Sequence, residues 1–218
     1  MLRRIALLAI GLVFASHCFA DAARMKLEDM IQRSQYIVQG KVSRVKVVDG
    51  KTIDEEYEVL SALINGMYLT GRYKSIVITN PTCCEDDLRT DRWHRYVEEL
   101  TPISVETLDD YAARNKQSLT FEKRFNLKAG YRIVPYVQIE KLFDYVDLEG
   151  DWKTFYSKYP GSNGYVRLSR VGFNKAKDQA LVNTHWMRGS LSGEGHYVLL
   201  GKQDGSWKVL KKVGTWVV

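Results

Sequence analysis

Few side chains in this 218-residue sequence are suited to chemistry. There are four histidines, His17, His94, His185 and His196, and three cysteines, Cys18, Cys83 and Cys84. His94 lies in a mixed-charge stretch and reads as exposed. His185 and His196 fall on neighbouring strand-like runs. Imidazole titrates near neutrality, so either histidine could serve as a general base with an Asp or Glu from elsewhere in the chain. If the turn over residues 189–193 centres between Ser190 and Leu191, His185 faces His196 and Asn183 faces Val198. Asn183, His185 and His196 then share one sheet face and form a candidate ligand site. A one-residue slip would send the two histidines to opposite faces, because side chains alternate along a strand. The plainer alternative, polar residues on a solvated face, is favoured by where such residues usually lie.

Cys83 and Cys84 precede Glu85, Asp86 and Asp87, so thiolates and carboxylates occur within five residues. Soft and hard donors together suit a transition metal, which makes Cys83 and Cys84 candidate ligands. A structural zinc site would want a second, separated ligand pair, and a solvated acidic loop is the plainer reading. Adjacent α-carbons lie ~3.8 Å apart, below the usual disulfide span, so the pair on its own is no staple. Gly193-Glu194-Gly195 is half a dinucleotide motif, but strands flank it and no helix follows. Ser169-Arg170-Val171-Gly172 lacks the glycine a nucleophile elbow needs two residues before the serine.

The elements that would position these groups can be read along the chain. Arg3 and Arg4 precede an apolar run over residues 5–14, and small residues follow near Ala20. This is the layout of a signal peptide, and the run falls short of the ~20 residues that span a bilayer. Cleavage is expected before Asp21, with a cut before Ala23 as the alternative. Removing residues 1–20 takes two arginines and no acid, which lowers the formal net charge from +6 to +4. No basic block accompanies that charge, so nucleic acid is not an expected partner. A composition of 45% hydrophobic and 27% charged residues excludes disordered, collagen-like and mainly membrane-embedded classes.

Residues 21–80 read as a β-rich module: a helical turn at 27–31, a strand over 36–48, a hairpin turn at Asp49-Gly50, a returning strand over 53–60 and a third strand over 75–79. Residues 81–103 read as a linker carrying the two cysteines and a short helix around Trp93 and Tyr96. Residues 104–218 read as a helix opened by Ser104 and stopped near Asn115, then an antiparallel sheet. Its four strands cover 165–173, 179–186, 195–203 and 206–213, with a two-residue hairpin at Asp204-Gly205. Residues 118–149 fit helix and strand equally. Gly172 marks a bulge or a close packing contact. The expected fold class is therefore α+β: an N-terminal β-rich, OB-like module and a C-terminal four-stranded antiparallel meander packed with one or more helices.

Two stretches carry a resemblance. Trp152-Lys153-Thr154-Phe155-Tyr156, Tyr159 to Gly164, Ser169-Arg170-Val171-Gly172-Phe173-Asn174, Gln179-Ala180-Leu181-Val182, Gly193 to Tyr197 and Trp207-Lys208-Val209 together form a pattern. It resembles a family of uncharacterised exported bacterial proteins ending in a small α+β domain, over roughly residues 104–218. The resemblance implies the compartment and fold and no catalytic residue. Ser34 to Val42, then Tyr57 to Leu60 and a turn at Gly66, resembles the opening of netrin-like, OB-type modules of secreted proteins.

These readings lead to an exported, periplasmic or secreted protein, non-enzymatic, that binds an unknown small ligand or envelope protein on a sheet face and needs no cofactor. The alternatives are a hydrolase using His185 or His196 and a metal binder using Cys83 and Cys84. No transmembrane segment is expected in the mature chain.

Overall fold

The computed structural model describes residues 50–70, 73–83, 91–143 and 147–218. The chain divides into two compact units, residues 1–47 and 48–218, and all described residues belong to the second. The signal segment, the helical turn at 27–31, the strand over 36–48 and Cys84 lie outside the described residues.

Helix α1 (Gly50–Met67) occupies the place where a returning strand was expected. Ile53 and Tyr57 would share a face in a strand, but they are also four apart. Continued through Leu60, Leu63 and Ile64, the spacing is that of one helical face. Tyr57, Leu60, Leu63 and Ile64 are all buried. The second half of the proposed OB-like module therefore holds a helix where a strand was expected, ahead of β1 (Ser75–Asn80).

Next come α2 (Asp91–Glu99) and α3 (Val105–Arg114). Ser104 caps α3, its Oγ accepting the Thr107 N–H at 3.2 Å, and Asn115 closes it as expected. The ambiguous region resolves into irregular chain, then β2 (Gly130–Pro135) and α4 (Tyr136–Glu140). The irregular part is held from afar. Backbone N–H groups of Leu119, Phe121, Glu122, Asn126 and Lys128 donate to side chains of Thr82, Asn80, Tyr57, Ser61 and Asn65. Helix α5 (Leu148–Lys158) follows, with Trp152 and Phe155 buried. The chain ends in β3 (Ser162–Leu168), β4 (Gly172–Phe173), β5 (Gln179–Gly189), β6 (Ser192–Gln203) and β7 (Ser206–Val217).

The fold is mixed α+β around one seven-stranded, mostly antiparallel sheet of order β2-β1-β3-β5-β6-β7, with β4 paired to β5. β3, β5, β6 and β7 pair antiparallel in succession. β1 runs parallel to both β2 and β3, which the sequence reading did not foresee. The boundary drawn through residues 81–103 is corrected with it. β1 pairs with β3, and residues of α1, β1 and the C-terminal strands share one apolar cluster, so residues 50–80 and 104–218 form one core.

Both faces of the sheet bury apolar surface. On the front, α1 and the phenylalanines Phe121 and Phe125 cover Ile76, Ile78, Val166, Leu168, Val182 and Val198. On the back there are two clusters. One gathers Val77, Val134 and Tyr165 under α4 and α5. The other gathers Leu181, Tyr197, Leu199 and Val213 with Leu100, Trp93, Tyr96 and Tyr111 of the α2–α3 segment. Gly172 is a close packing contact, since a Cβ there would run into the backbone of Tyr111. Across the front face a buried ionic cluster ties α1 to the chain before β4. Glu56, fully buried, accepts from Arg170 Nη2 at 2.6 Å and Arg114 Nη1 at 2.9 Å.

Candidate ligand site on the back of the sheet

Strand register decides which candidates meet. The hairpin between β5 and β6 turns at Ser190-Leu191 as expected, with Gly189 opposite Ser192. The next pair is Met187 with Gly193, so Arg188 is an extra residue, a bulge. Every later pair is shifted by one. Thr184 faces His196, His185 faces Gly195 and Asn183 faces Tyr197. The expected pairing of His185 with His196 is therefore wrong, and the two lie on opposite faces. On the other side of β6, Gln203 faces Ser206 and Leu200 faces Val209, as the Asp204-Gly205 turn predicts. A shift after Leu200 then pairs Val198 with Lys212 and His196 with Gly214, in place of the expected Lys211 and Val213.

His196 joins the front face. It is 8% exposed, its Nδ1 has no hydrogen-bond partner among the described residues, and its Nε2 lies 4.0 Å from Glu194 Oε2. Burial lowers its pKa below the usual imidazole value; Glu194 opposes the shift and Lys212 adds to it. On the same face, Thr184 Oγ1 lies 3.1 Å from the Tyr68 hydroxyl, and burial pushes the Tyr68 phenol well above its ordinary pKa. The separation from Glu194 exceeds the ~2.6–3.2 Å reach of a base and its orienting carboxylate.

His185 and Asn183 stay together on the back face, between the two aromatic clusters. Arg167 of β3 sits directly across from His185. Val77 and Ile78 of β1 align with Tyr165 and Val166 of β3, so Thr79 comes beside Arg167. On the far side Gly195 pairs with both His185 and Trp216. A Cβ on Gly195 would collide with the Trp216 indole, so glycine lets the ring cross the strand. The indole reaches His185 edge-to-face, with ring centroids 5.4 Å apart. The Gly193-Glu194-Gly195 run thus seats an aromatic ring rather than a phosphate. The result is a transverse row, Thr79, Arg167, His185 and Trp216, with Asn183 two residues along β5 from His185.

This row is polar and poorly satisfied. Asn183 is fully buried, and among the described residues neither its Oδ1 nor its Nδ2 has a hydrogen-bond partner. Thr79 Oγ1 and Arg167 Nε are likewise buried without a partner. The Arg167 guanidinium lies over the Tyr136 ring at 3.8 Å. Among the described residues Arg167 forms no ion pair. Such orphaned groups are rare and costly inside a protein. The carboxyl ends of the parallel strands β1 and β3 meet here, the usual ligand position in open sheets with parallel strands.

Sequence reasoning singled out Asn183 and His185 as candidates and passed over Thr79, Arg167, Tyr136 and Trp216, which the fold places beside them. One signal was available: Arg167 alternates with Val166 and Leu168 inside a buried strand, where an arginine asks for a reason.

Cys83 stands at the end of β1, its N–H donating to Leu168 O at 2.8 Å. It is disulfide-bonded, and in that form it offers no thiolate to a metal. Among the described residues no three His, Cys, Asp or Glu side chains gather closely enough to hold an ion. Among them, too, no helix is long and apolar enough to cross a membrane. No protein-family model, curated protein or solved structure matches this chain.

Proposed function

We propose that this is an exported binding protein of the cell envelope, non-enzymatic, that holds a small ligand on the back-face row of Thr79, Arg167, Asn183 and His185. The observation that carries the reading is Asn183: a fully buried amide with both hydrogen-bonding atoms unused among the described residues, diagonal to an arginine that forms no ion pair among them. A buried polar group left without partners costs roughly 1–3 kcal/mol. A ligand supplying those partners recovers that cost on binding. The site is carried by what we read as an antiparallel meander, β3-β5-β6-β7, supported by the successive pairings. The signal-like start and the resemblance of residues 104–218 to exported bacterial proteins support the compartment.

The hydrolase reading has less support, because His196 and Glu194 stand 4.0 Å apart on the other face. The test is a screen of small-molecule mixtures against the 15N-labelled protein. Binding at the row moves the Asn183 side-chain amide and the Trp216 indole resonances together. If ligands are found and none moves either resonance, the site is wrong.

A further inference from the structure

The row also indicates the class of ligand. Resting on the binding-protein reading above, we infer that the row binds an organic carboxylate, with Arg167 taking the carboxylate and Asn183 a neutral amide or hydroxyl beside it. Arg167 has one face of its guanidinium against Tyr136. Stacking on an aromatic ring leaves the N–H edge free, and that planar fork matches a carboxylate. Its Nε is buried with no acceptor among the described residues, so that donor is open to one from a ligand. Arg167 as a whole is partly buried, and an anion from outside would give its guanidinium charge-assisted hydrogen bonds.

The charge count separates carboxylate from phosphate. The row of Thr79, Arg167, Asn183, His185 and Trp216 contains one arginine and no lysine. One guanidinium neutralises a monoanion and leaves a phosphate dianion half compensated. Asn183 supplies a donor and an acceptor together, the complement of an amide or a hydroxyl. Arg167 is across from His185, and Asn183 is two residues from His185, so Arg167 and Asn183 are diagonal neighbours. Diagonal β-carbons lie ~7–8 Å apart. The ligand must therefore carry its neutral group within a few bonds of the carboxylate, as N-acyl amino acids do.

The experiment titrates the 15N-labelled full chain with three probes: N-acetylglycine, its neutral analogue N-acetylglycinamide, and inorganic phosphate. N-acetylglycine is expected to shift the Asn183 side-chain amide and the Trp216 indole, with the other two probes much weaker at equal concentration. Arg167→Gln should weaken N-acetylglycine by at least ~tenfold, the size of one charge-assisted bond. Arg167→Lys keeps the charge but loses the fork, and should also weaken binding. It serves as the second variant should Arg167→Gln fail to fold, which its spectrum reveals.

Equal response to N-acetylglycinamide overturns the carboxylate assignment and leaves the binding site standing. Tighter binding of phosphate overturns it in favour of a phosphoryl ligand. If N-acetylglycine moves neither resonance before exposed arginines such as Arg188 respond, the inference is overturned. Should no compound in the broader screen move them either, the binding-site reading falls as well.

Discussion

Replacing Asn183 by leucine should make the ligand-free protein more stable. Most buried substitutions destabilise, so the sign alone is informative. Asn183 is fully buried, and its Oδ1 and Nδ2 have no partner among the described residues. Leucine has the same branched heavy-atom skeleton and no polar atoms to leave unmet. Its neighbours on the face, Leu181 and Tyr197, belong to an apolar cluster. Each unsatisfied group costs roughly 1–3 kcal/mol, and imperfect fit of the methyl groups returns part of the gain, so the net expectation is about 1–3 kcal/mol of added stability. Asparagine is also disfavoured in strands, which acts in the same direction. The assay is urea unfolding of wild type, Asn183→Leu and Asn183→Asp. The leucine variant should raise the midpoint at unchanged slope, and the aspartate variant, which buries a charge, should lower it. The leucine variant should also lose ligand binding, the usual exchange of function for stability. A loss of about 1 kcal/mol or more on Asn183→Leu would mean that the amide is bonded in solution, and the argument for a ligand at this position would collapse.

Three further outcomes are expected. Glu56→Leu should cost about 3–5 kcal/mol, because it strands the buried Arg170 cation, whereas Glu56→Leu with Arg170→Met should cost less than the two single changes together; additive costs in urea unfolding would contradict this. Since burial lowers the His196 pKa in the folded state, the unfolded chain binds more protons as pH falls through the ordinary value of 6.5. Stability should therefore decline as pH drops below neutrality until it passes the folded pKa; His196→Gln should flatten that part of the curve, and an unchanged profile would show that His196 is not its source. Gly195→Ala should push the Trp216 indole off β6, shifting its resonance and costing about 1–3 kcal/mol, and an unmoved indole would count against its role in the row.

Where structure is specified locally, the sequence was enough. Ser104 and Asn115 bracket α3 because caps act within a few residues. Asp204 and Gly205 both have positive φ, 51° and 76°, which suits the two-residue turn their types announce. Where structure is specified at a distance, the same reasoning failed. Residues 119–128 have no period of their own, since their backbone donors are met by side chains of α1 and of the chain at the end of β1. The parallel pairing of β1 with β3 joins residues more than eighty positions apart. Helix α1 was lost for a different reason. An eight-residue window over 53–60 is too short to tell a repeat of four from alternation, and the decisive Leu63 and Ile64 lie just beyond it.

The candidate site shows how one unpaired residue redirects an argument about chemistry. The β5–β6 turn was placed correctly at Ser190-Leu191, and from it alone the two histidines become partners. Arg188 breaks that inference, because a bulge adds one residue to β5 and moves every later side chain across by one position. Nothing in the types of Met187, Arg188 and Gly189 announces the bulge. Its effect is visible only in where polar atoms end up: His196 is sent to the face under α1, while His185 is brought opposite Gly195 and against Trp216. The pairing of β3 with β5 sets Arg167 on the face of His185 and Asn183 whatever the β6 register; the bulge changes what faces them on β6, Gly195 and Tyr197 in place of His196 and Val198. The bulge at Arg188 therefore separates the two histidines and adds Trp216 to a row whose other members the β1–β3–β5 pairings already align.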